Sequence, residues 1–355
     1  MRAVIFDGGS TKLCEDVEVR APGIGEVSVR VHASGVCQSD LSVIKGSLPF
    51  PVPVVLGHEG AGVVEEVGPG VTGLAVGDHI VLSTLANCGV CPACVTGRPG
   101  MCRSTFGITE TPFQRAGEPL YNFAALSTFS DRIVVRAGQA VSIPKQIPFA
   151  SACLIGCCVL TGAGAVFNRA NVQVGESVAV IGAGGVGLNV IQAARLAGAA
   201  SIIAIDANPE KEADARRFGA TAFVDPRETD AVRAVRDLTR TGVAHVFECV
   251  GHPDLVSQAV EMTDWHGQVI LLGVAGPGAE LSVPMSALYL DKSILGCRYG
   301  SSRPAADVAR YVELYGAGRL LLDELITRTY PLEAYEDAIE DLRAGKLNRG
   351  VLQLT

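Results

Sequence analysis

The pattern of hydrophobic and polar positions changes along the chain near residue 175. Before that point, short runs rich in Val, Ile and Leu are broken by Gly and Pro and show no helical period, which is typical of β-strands. These runs are Val27–Val31, Gly62–Val67, His79–Leu82 and Asp131–Val135. Roughly the first 150 residues therefore predict a mostly β region.

From Gly175 onward, apolar runs alternate with segments that repeat apolar residues at i, i+3 and i+4. The runs predict buried strands at Ser177–Ile181, Ser201–Ile205, Thr221–Val224, Ala244–Glu248 and Gly267–Leu272. Strands that alternate with helices predict a parallel, doubly wound sheet. The remaining C-terminal segment returns to a mixed pattern, with amphipathic helices predicted at Ala305–Tyr315 and Leu332–Arg343.

Length and composition limit the classes of protein. With 355 residues, of which 48% are hydrophobic, the chain is long enough for two globular domains. Met1–Asp7 becomes acidic too early for a signal peptide, and no apolar run approaches the ~18 residues that cross a bilayer, so we expect a cytoplasmic protein. The net charge of −8, without a basic stretch, argues against nucleic acid or a membrane surface as partner. In a reducing compartment, eleven cysteines indicate metal ligands and free thiols.

Four cysteines lie close together in the sequence, at Cys88, Cys91, Cys94 and Cys102. Two residues separate each of the first three, so a short turn can aim their thiolates at one zinc ion, and Cys102 can complete a tetrahedron. The alternative of buried or disulfide-bonded cysteines explains this spacing less well, because the Gly- and Pro-rich loop has no apolar periodicity. A closed four-thiolate site leaves no position for substrate. The spacing therefore predicts structural zinc in a lobe at about residues 87–103.

Gly182, Gly184 and Gly187 form a GxGxxG motif directly after a predicted strand and at the start of the predicted helix 186–197. The glycines allow a tight turn, close approach of a pyrophosphate and packing of the helix on the strand. Asp206 lies 19 residues after Gly187, at the end of the next predicted strand. A carboxylate there can accept hydrogen bonds from the ribose hydroxyls of NAD and repels the 2′-phosphate of NADP. The motif therefore predicts NAD as the cofactor.

A second metal site is predicted from three separate segments. Cys37 follows a predicted strand, and His58 stands in a Gly-His-Glu-Gly run. A third ligand must come from the segment that holds Cys153, Cys157 and Cys158. Each of these residues alone is more often structural. Two thiolates and one imidazole, however, would hold zinc and leave its fourth position open for a substrate.

Taken together, these motifs closely resemble the zinc-dependent medium-chain alcohol dehydrogenases, nearest to the class III-like branch. The resemblance covers essentially the whole chain, from the Gly-His-Glu motif and the four-cysteine lobe to the closing Gly345–Arg349. It implies an α/β protein with a GroES-like, mostly β catalytic domain at 1–158 and 299–355, and a Rossmann domain at 159–298. It also implies an active site in the cleft between these domains, NAD, two zinc ions per chain, and a homodimer or homotetramer formed through the Rossmann sheets.

The resemblance also assigns roles to single residues. The implied catalytic zinc ligands are Cys37, His58 and Cys157. Cys158 is the weaker rival of Cys157, and Cys153 is then a core thiol. Glu59 would lie just behind the metal, and Ser39 would receive the proton of the alcohol. The implied cofactor contacts, besides the three glycines and Asp206, are Gln38, Thr161, Lys211 and Arg349.

Three residues depart from the family pattern. Ser42 stands where familiar members carry a relay histidine, so we expect the proton to leave through Ser39 and water. Gln38 replaces a basic residue that faces the pyrophosphate. Thr84 stands where an aromatic residue commonly narrows the pocket beside zinc, which predicts a wider pocket.

The implied activity is the reversible, NAD-dependent oxidation of primary alcohols to aldehydes, with bulky aliphatic or aromatic alcohols as the expected substrates. Zinc would act as Lewis acid and NAD would accept the hydride. A close alternative is a thiol-dependent formaldehyde dehydrogenase that acts on an S-hydroxymethyl adduct. A non-catalytic cofactor-binding protein is a third possibility, which the intact set of Cys37, Ser39, His58 and Cys157 disfavours.

Overall fold

A computed structural model describes residues 1–354 of the chain. It contains nineteen strands in this part of the chain, numbered β1 to β19. They are β1 Ala3–Phe6, β2 Thr11–Cys14, β3 Val17–Val19, β4 Glu26–Val36, β5 Val54–Val55, β6 Glu59–Val67, β7 His79–Leu82, β8 Phe113–Arg115, β9 Glu118–Asn122, β10 Arg132–Arg136, β11 Ala140–Ser142, β12 Ser177–Ile181, β13 Ser201–Ile205, β14 Ala222–Val224, β15 Val243–Glu248, β16 Thr263–Leu271, β17 Ser293–Gly296, β18 Ile326–Pro331 and β19 Arg349–Gln353.

The α-helices are fewer than the strands and concentrate in the second half of the chain. The α-helices are α1 Gln38–Ile44, α2 Pro92–Val95, α3 Phe149–Ala152, α4 Leu160–Gly164, α5 Gly185–Ala197, α6 Lys211–Phe218, α7 Ala231–Thr239, α8 Pro253–Met262, α9 Met285–Leu288, α10 Pro304–Gly316 and α11 Tyr335–Arg343. Two π-helical segments, Ile155–Val159 and Ala165–Ala170, adjoin α4. Six short 3₁₀ turns complete the set, at Pro99–Met101, Phe123–Ala125, Ala137–Gln139, Tyr299–Ser301, Asp323–Leu325 and Leu332–Ala334.

The chain forms two compact units, of which the first comprises residues 1–157 together with the segment from residue 303 onward. It holds a six-stranded sheet in the order β2-β1-β5-β9-β8-β3. A seven-stranded sheet has the order β11-β7-β6-β4-β19-β18, with β10 also pairing with β4. Buried Val, Leu, Ile and Phe side chains from both sheets form one continuous core. This unit is mostly β, as the pattern of roughly the first 150 residues predicts.

The second unit comprises residues 158–302 and contains a parallel sheet in the order β14-β13-β12-β15-β16-β17. Numbered within this sheet, the strand order is 3-2-1-4-5-6, which is the doubly wound Rossmann order. The central strands pair without a register shift, from Ser177 opposite Ser201 to Ile181 opposite Ile205. The predicted α/β fold with a Rossmann sheet is therefore confirmed.

Most predicted elements lie within one or two residues of the observed ones. The strands predicted at His79–Leu82, Ser177–Ile181 and Ser201–Ile205 have the observed bounds. The N-terminal region is less purely β than the sequence pattern indicates, because α1 follows Cys37 within it. That helix is only seven residues long, too short for a helical period to stand out from the flanking strands.

The expectation that no apolar run approaches the ~18 residues that cross a bilayer is wrong. The helical stretch Phe149–Ala170 is 22 residues long, and its most hydrophobic 18-residue window has a mean hydropathy of 2.0, which by length and composition alone is enough to cross a membrane. Cys, Thr and Gly interrupt its apolar residues, which hides the run when aliphatic residues alone are counted. Inside the fold, 89% of its most hydrophobic window is buried, so the hydropathy of this helix reflects a place in the protein interior.

Candidate active site

The structure brings together four buried side chains in the first unit. One ligand atom each from Cys37, His58, Glu59 and Cys157 lies within 4.8 Å of the other three. Cys37 lies between β4 and α1, and His58 and Glu59 mark the start of β6. Cys157 lies in the π-helical segment Ile155–Val159, a kind of helix that often occurs at functional sites. The residues predicted as catalytic zinc ligands therefore form one cluster.

A tight turn places His58 in this cluster. Gly57 has a φ of +90°, and a Cβ there would lie 2.4 Å from the backbone nitrogen of Phe129, so only glycine fits. His58 Nδ1 faces Asp40 Oδ1 at 3.2 Å. Its other ring nitrogen, Nε2, is buried without a hydrogen-bond partner, as expected of a histidine whose Nδ1 is held by a carboxylate while Nε2 binds a metal.

The buried donor atoms of the cluster, several of them without a hydrogen-bond partner, fit a metal cation. A hydrogen bond with Cys157, together with Arg349 and His58, lowers the pKa of the Cys37 thiol well below its usual value, against the effect of burial. Burial raises the pKa of Glu59 to about 7, with Arg349 opposing the shift. Both carboxylate oxygens of Glu59 are buried without a hydrogen-bond partner. Because buried polar atoms are normally paired, these unpaired acceptors and the thiols fit a zinc ion of the Cys₂His type.

The second metal-ligand cluster is the lobe that the cysteine spacing predicts. The sulfur atoms of Cys88, Cys91, Cys94 and Cys102 lie within 4.8 Å of one another. The Cys91 sulfur is 3.5 Å from that of Cys94 and 3.9 Å from that of Cys102, which brackets the ~3.8 Å expected around tetrahedral zinc. All four are free thiols, so the disulfide alternative is excluded.

The second unit contains the predicted dinucleotide loop. Gly182 follows β12 with a φ of +92°, and a Cβ at Gly187 would lie 1.8 Å from the carbonyl oxygen of Gly182. A Cβ at Gly184 would meet no atom within 4 Å, so space remains there for a ligand. Gly187 therefore permits the close contact of α5 with the loop, and the N-terminus of α5 offers backbone N–H groups to a phosphate.

Asp206 follows β13, the neighbour of β12 in the sheet. Its Oδ2 accepts a hydrogen bond from the backbone nitrogen of Ala183 at 2.7 Å, and Oδ1 accepts one from that of Asn208 at 2.8 Å. The carboxylate is thus fixed beside the glycine loop. Lys211 begins α6 in the same region, and burial lowers the pKa of its ammonium group, which the charge of Asp206 opposes.

Comparison with known proteins finds family matches both for the part of the chain that holds the metal-ligand clusters and for the part that holds the dinucleotide loop. The family described as "Alcohol dehydrogenase GroES-like domain" matches residues 23–145, and the family described as "Zinc-binding dehydrogenase" matches residues 185–315. An S-(hydroxymethyl)glutathione dehydrogenase of Escherichia coli O1:K1 is 39% identical over 99% of this chain and 98% of its own length. The chain belongs to the zinc-dependent alcohol dehydrogenase family.

Two solved structures show the same fold over the full chain. The alcohol dehydrogenase zinc-binding domain protein of Burkholderia ambifaria is 37% identical, with a TM-score of 0.95 and coverage of 100% of this chain and 98% of that one. The benzyl alcohol dehydrogenase of Acinetobacter calcoaceticus is 32% identical, with a TM-score of 0.93 and coverage of 100% and 99%. The resemblance to the class III-like branch and the identification as an oxidoreductase with zinc and NAD are therefore confirmed.

One residue of this alcohol dehydrogenase site has no role in the sequence analysis. Asp40 is fully buried, and its carboxylate accepts hydrogen bonds from the backbone nitrogens of Cys37 and Gly57 at 3.1 and 3.0 Å, besides facing His58. It therefore holds the two segments that carry the predicted ligands Cys37 and His58 in one geometry. The available signal was its position three residues after Cys37, where an acid caps the first turn of α1.

Arg349 lies in an unexpected place for a predicted pyrophosphate contact. It is only 4% exposed, and its Nη2 is 3.5 Å from Glu59 Oε1. Arg349 begins β19, which pairs with β18 and β4. The guanidinium thus compensates the charge of a carboxylate beside the metal ligands. Its spacing in the sequence gives no hint of this pairing.

The other predicted residues occupy several environments. Gln38 is exposed at the start of α1, whereas Ser39 and Ser42 are half-buried on the same face of that helix. Thr161 is half-buried in α4, and Thr84 is buried two residues after β7. The two remaining cysteines of the segment, Cys153 and Cys158, are fully buried.

Proposed function

We propose that this enzyme oxidises primary alcohols, chiefly bulky aliphatic or aromatic ones, to aldehydes with NAD, and catalyses the reverse reaction. The buried cluster of Cys37, His58 and Cys157 carries this proposal, because it offers two thiols and one imidazole nitrogen to zinc and leaves a fourth position for an alcohol oxygen. The relationship to a benzyl alcohol dehydrogenase structure supports an aromatic alcohol as substrate.

Each residue near the metal has a proposed task. When bound, zinc supplies Lewis acidity, and NAD accepts the hydride. Cys37, His58 and Cys157 hold and orient the metal, and Asp40 keeps Nε2 of His58 directed to it. Ser39 Oγ passes the alcohol proton to water, because Ser42 cannot hold a proton near neutral pH as histidine would.

Thr84 is the proposed determinant of substrate size. A Cβ at Gly60, two residues after His58, would lie 2.8 Å from Leu82 Cδ1, and one at Gly156 would lie 1.8 Å from the Leu82 carbonyl oxygen. The chain from Leu82 to Thr84 therefore runs beside both ligand-bearing segments. Threonine fills much less volume than an aromatic ring, so longer substrates gain buried apolar area at about 25 cal/mol per Å².

A second candidate function is the oxidation of an S-hydroxymethyl thiol adduct. The 39% identity to an S-(hydroxymethyl)glutathione dehydrogenase over nearly the whole chain favours it. Both candidates use the same zinc ligands and the same cofactor, so they differ only in what the pocket accepts beyond the reacting carbon.

A substrate panel distinguishes the two candidates. NADH formation is followed with ethanol, octanol and benzyl alcohol, and with formaldehyde plus glutathione or another small thiol. We expect benzyl alcohol or octanol to exceed ethanol in kcat/KM by about tenfold or more. In Thr84→Phe the preference should move toward ethanol, whereas Thr84→Ser serves as the small-residue control. Ethanol as the best substrate would contradict the pocket argument, and activity confined to formaldehyde with a thiol would establish the alternative.

The proposed preference for NAD over NADP rests on Asp206. Its carboxylate is fixed beside the glycine loop by two backbone hydrogen bonds, where it would repel a 2′-phosphate. We expect kcat/KM with NAD to exceed that with NADP at least about a hundredfold and Asp206→Ser to narrow the ratio. Equal use of both cofactors by the wild-type enzyme would overturn the assignment.

A homodimer or homotetramer is also proposed, with β17 at the contact. This strand is the edge of the parallel sheet and pairs only with β16 among the described strands. Large side chains nearby in this unit are exposed, among them Trp265 at 72% and Tyr289 at 86%. Light scattering should give a dimer or larger species for wild type and a smaller one for Tyr289→Glu; a wild-type monomer would refute the proposal.

A further inference from the structure

Helix α5 carries two buried polar side chains that neither the glycine motif nor the proposed chemistry uses. Asn189 and Gln192 are fully buried, and they lie among the equally buried apolar residues Leu188, Val190 and Ile191. Asparagine is a poor helix former, and burying its amide without partners costs free energy. A buried asparagine in the second turn of this helix therefore requires an explanation.

The amide of Asn189 has partners on both sides. Its Nδ2 donates to the carbonyl oxygen of Gly185 at 2.7 Å and to the sulfur of Cys158 at 3.7 Å. Its Oδ1 accepts a hydrogen bond from Gln192 Nε2 at 2.8 Å. Both hydrogens of the amide nitrogen and one acceptor position are thus satisfied within this unit. We call the chain of contacts Gly185–Asn189–Cys158 the amide ladder.

Close packing of the backbones of α4 and α5 places Asn189 within reach of Cys158. A Cβ at Gly162 would lie 2.6 Å from Asn189 Cβ and 2.6 Å from the carbonyl oxygen of Val186. Helices α4 and α5 therefore touch at Gly162, and no larger residue fits without moving one of them. Because the two helices are in contact there, the short side chain of Asn189 can reach Cys158.

The two ends of the ladder lie at functional positions. Gly185 is the first residue of α5 and directly follows Gly184 of the dinucleotide loop. Cys158 is the residue after Cys157, and both lie in the π-helical segment Ile155–Val159. A π-helical turn departs from the regular α-helical hydrogen bonding, so the direction of Cys157 depends on what holds the neighbouring residue.

We propose that Asn189 is a positioning residue that orients Cys157 through Cys158 and at the same time holds the first turn of α5 through Gly185. The proposal rests on the assignment of Cys157 as a zinc ligand. It gives Cys158 a task other than metal binding, because the Cys158 sulfur accepts a hydrogen bond from the amide nitrogen of Asn189.

Zinc affinity of the catalytic site, measured by competition with a chromophoric chelator, tests the proposal, with the zinc of the Cys₄ lobe as internal reference. We expect Asn189→Leu and Cys158→Ala each to weaken catalytic zinc binding by about tenfold, which is at the low end for groups behind a ligand. Cys153→Ala is the matched control, because this equally buried thiol donates to the Ala150 carbonyl oxygen instead; its zinc affinity should stay within about twofold of wild type.

The double variant Asn189→Leu/Cys158→Ala distinguishes loss of the Asn189–Cys158 contact from a general loss of packing as the cause of weaker zinc binding. If both residues act through one contact, the double variant binds zinc about as weakly as either single variant, whereas independent effects would multiply. Multiplying losses, or wild-type zinc affinity in Asn189→Leu, would overturn the proposal. If Asn189→Leu does not fold, Asn189→Ser replaces it, since a serine hydroxyl can reach the Gly185 carbonyl oxygen but is too short for Cys158.

ADP-ribose binding tests the contact of Asn189 with Gly185 at the dinucleotide loop. This probe occupies the dinucleotide loop without a nicotinamide ring. Asn189→Leu should raise the dissociation constant for ADP-ribose several-fold, and Asn189→Ser should leave it near the wild-type value. Equal binding of ADP-ribose by wild type and Asn189→Leu would refute the part of the proposal that concerns Gly185. Zinc retained by Cys157→Ala would instead contradict the ligand assignment on which the proposal rests.

Discussion

The two cysteine-rich clusters are built in opposite ways. The lobe takes all four ligands from Cys88–Cys102, and of that segment only Gly100 and Cys102 are buried. The other cluster takes Cys37, His58 and Cys157 from three distant segments, and all three are buried. The first cluster therefore lacks a core that could hold it without metal, whereas the second is assembled by the core of its unit.

This difference teaches what each metal contributes. In the lobe, zinc replaces the missing apolar packing, so its binding free energy is largely folding free energy. In the buried cluster, the β-sheets, Asp40 and the turn at Gly57 fix the proposed ligands, so a metal there would contribute to catalysis rather than to folding. We therefore expect the loss of one zinc to affect stability and the loss of the other to affect turnover.

The largest expected effect comes from Cys157→Ala. Removing one of three protein ligands should release the catalytic zinc and lower kcat/KM at least about a thousandfold, which corresponds to ~4 kcal/mol. Metal analysis should still find about one zinc per chain, held by the lobe. Thermal unfolding should remain within a few degrees of wild type. An active Cys157→Ala enzyme with two zinc ions would break the distinction between the clusters.

Cys94→Ala is the matched change in the lobe. It should release the structural zinc and reduce stability by several kcal/mol, because little buried surface remains there. Limited proteolysis should then cut within residues 88–108 faster than in wild type. The catalytic zinc should stay bound. A variant that lost only the catalytic zinc, with an intact lobe, would contradict our reading of both clusters.

A smaller effect is expected from Asp40→Asn. The amide keeps the size of the carboxylate but loses its charge, so it holds His58 and the backbone nitrogen of Cys37 less firmly. Zinc affinity at the catalytic site should fall about 10- to 100-fold, the usual cost of disturbing a partner of a metal-bound histidine. Asp78→Asn, at an exposed turn where Asp78 accepts from Ala75, is the control. Unchanged zinc affinity in Asp40→Asn would show that the core alone orients the ligands.

The same contrast explains what the sequence could predict. The lobe could be predicted from cysteine spacing because its four cysteines lie close together in the sequence. The Rossmann strands could be predicted because buried parallel strands form uninterrupted apolar runs, as in Ser177–Ile181. The choice of Cys157 among three cysteines required resemblance to a family. Its placement depends on how the long helix packs, which periodicity does not determine.

Other features of the site depend on contacts between distant residues. Asp40 lies 18 positions from His58, and Arg349 lies still further from Glu59, yet each pair meets in the fold. The burial of helix Phe149–Ala170 likewise follows from tertiary packing, since its composition alone resembles a membrane span. Such pairings are tertiary, so a local pattern of residue types cannot reveal them.

Stepwise removal of zinc from the purified wild-type enzyme tests the central claim most directly. Chelator is added in small amounts, and bound zinc, NAD-dependent activity and thermal stability are measured on the same samples. We predict about two zinc ions per chain at the start, with activity falling in proportion to loss of the first equivalent while the fold persists, and stability falling only with loss of the second. A fully active enzyme that holds one zinc or none would contradict the account.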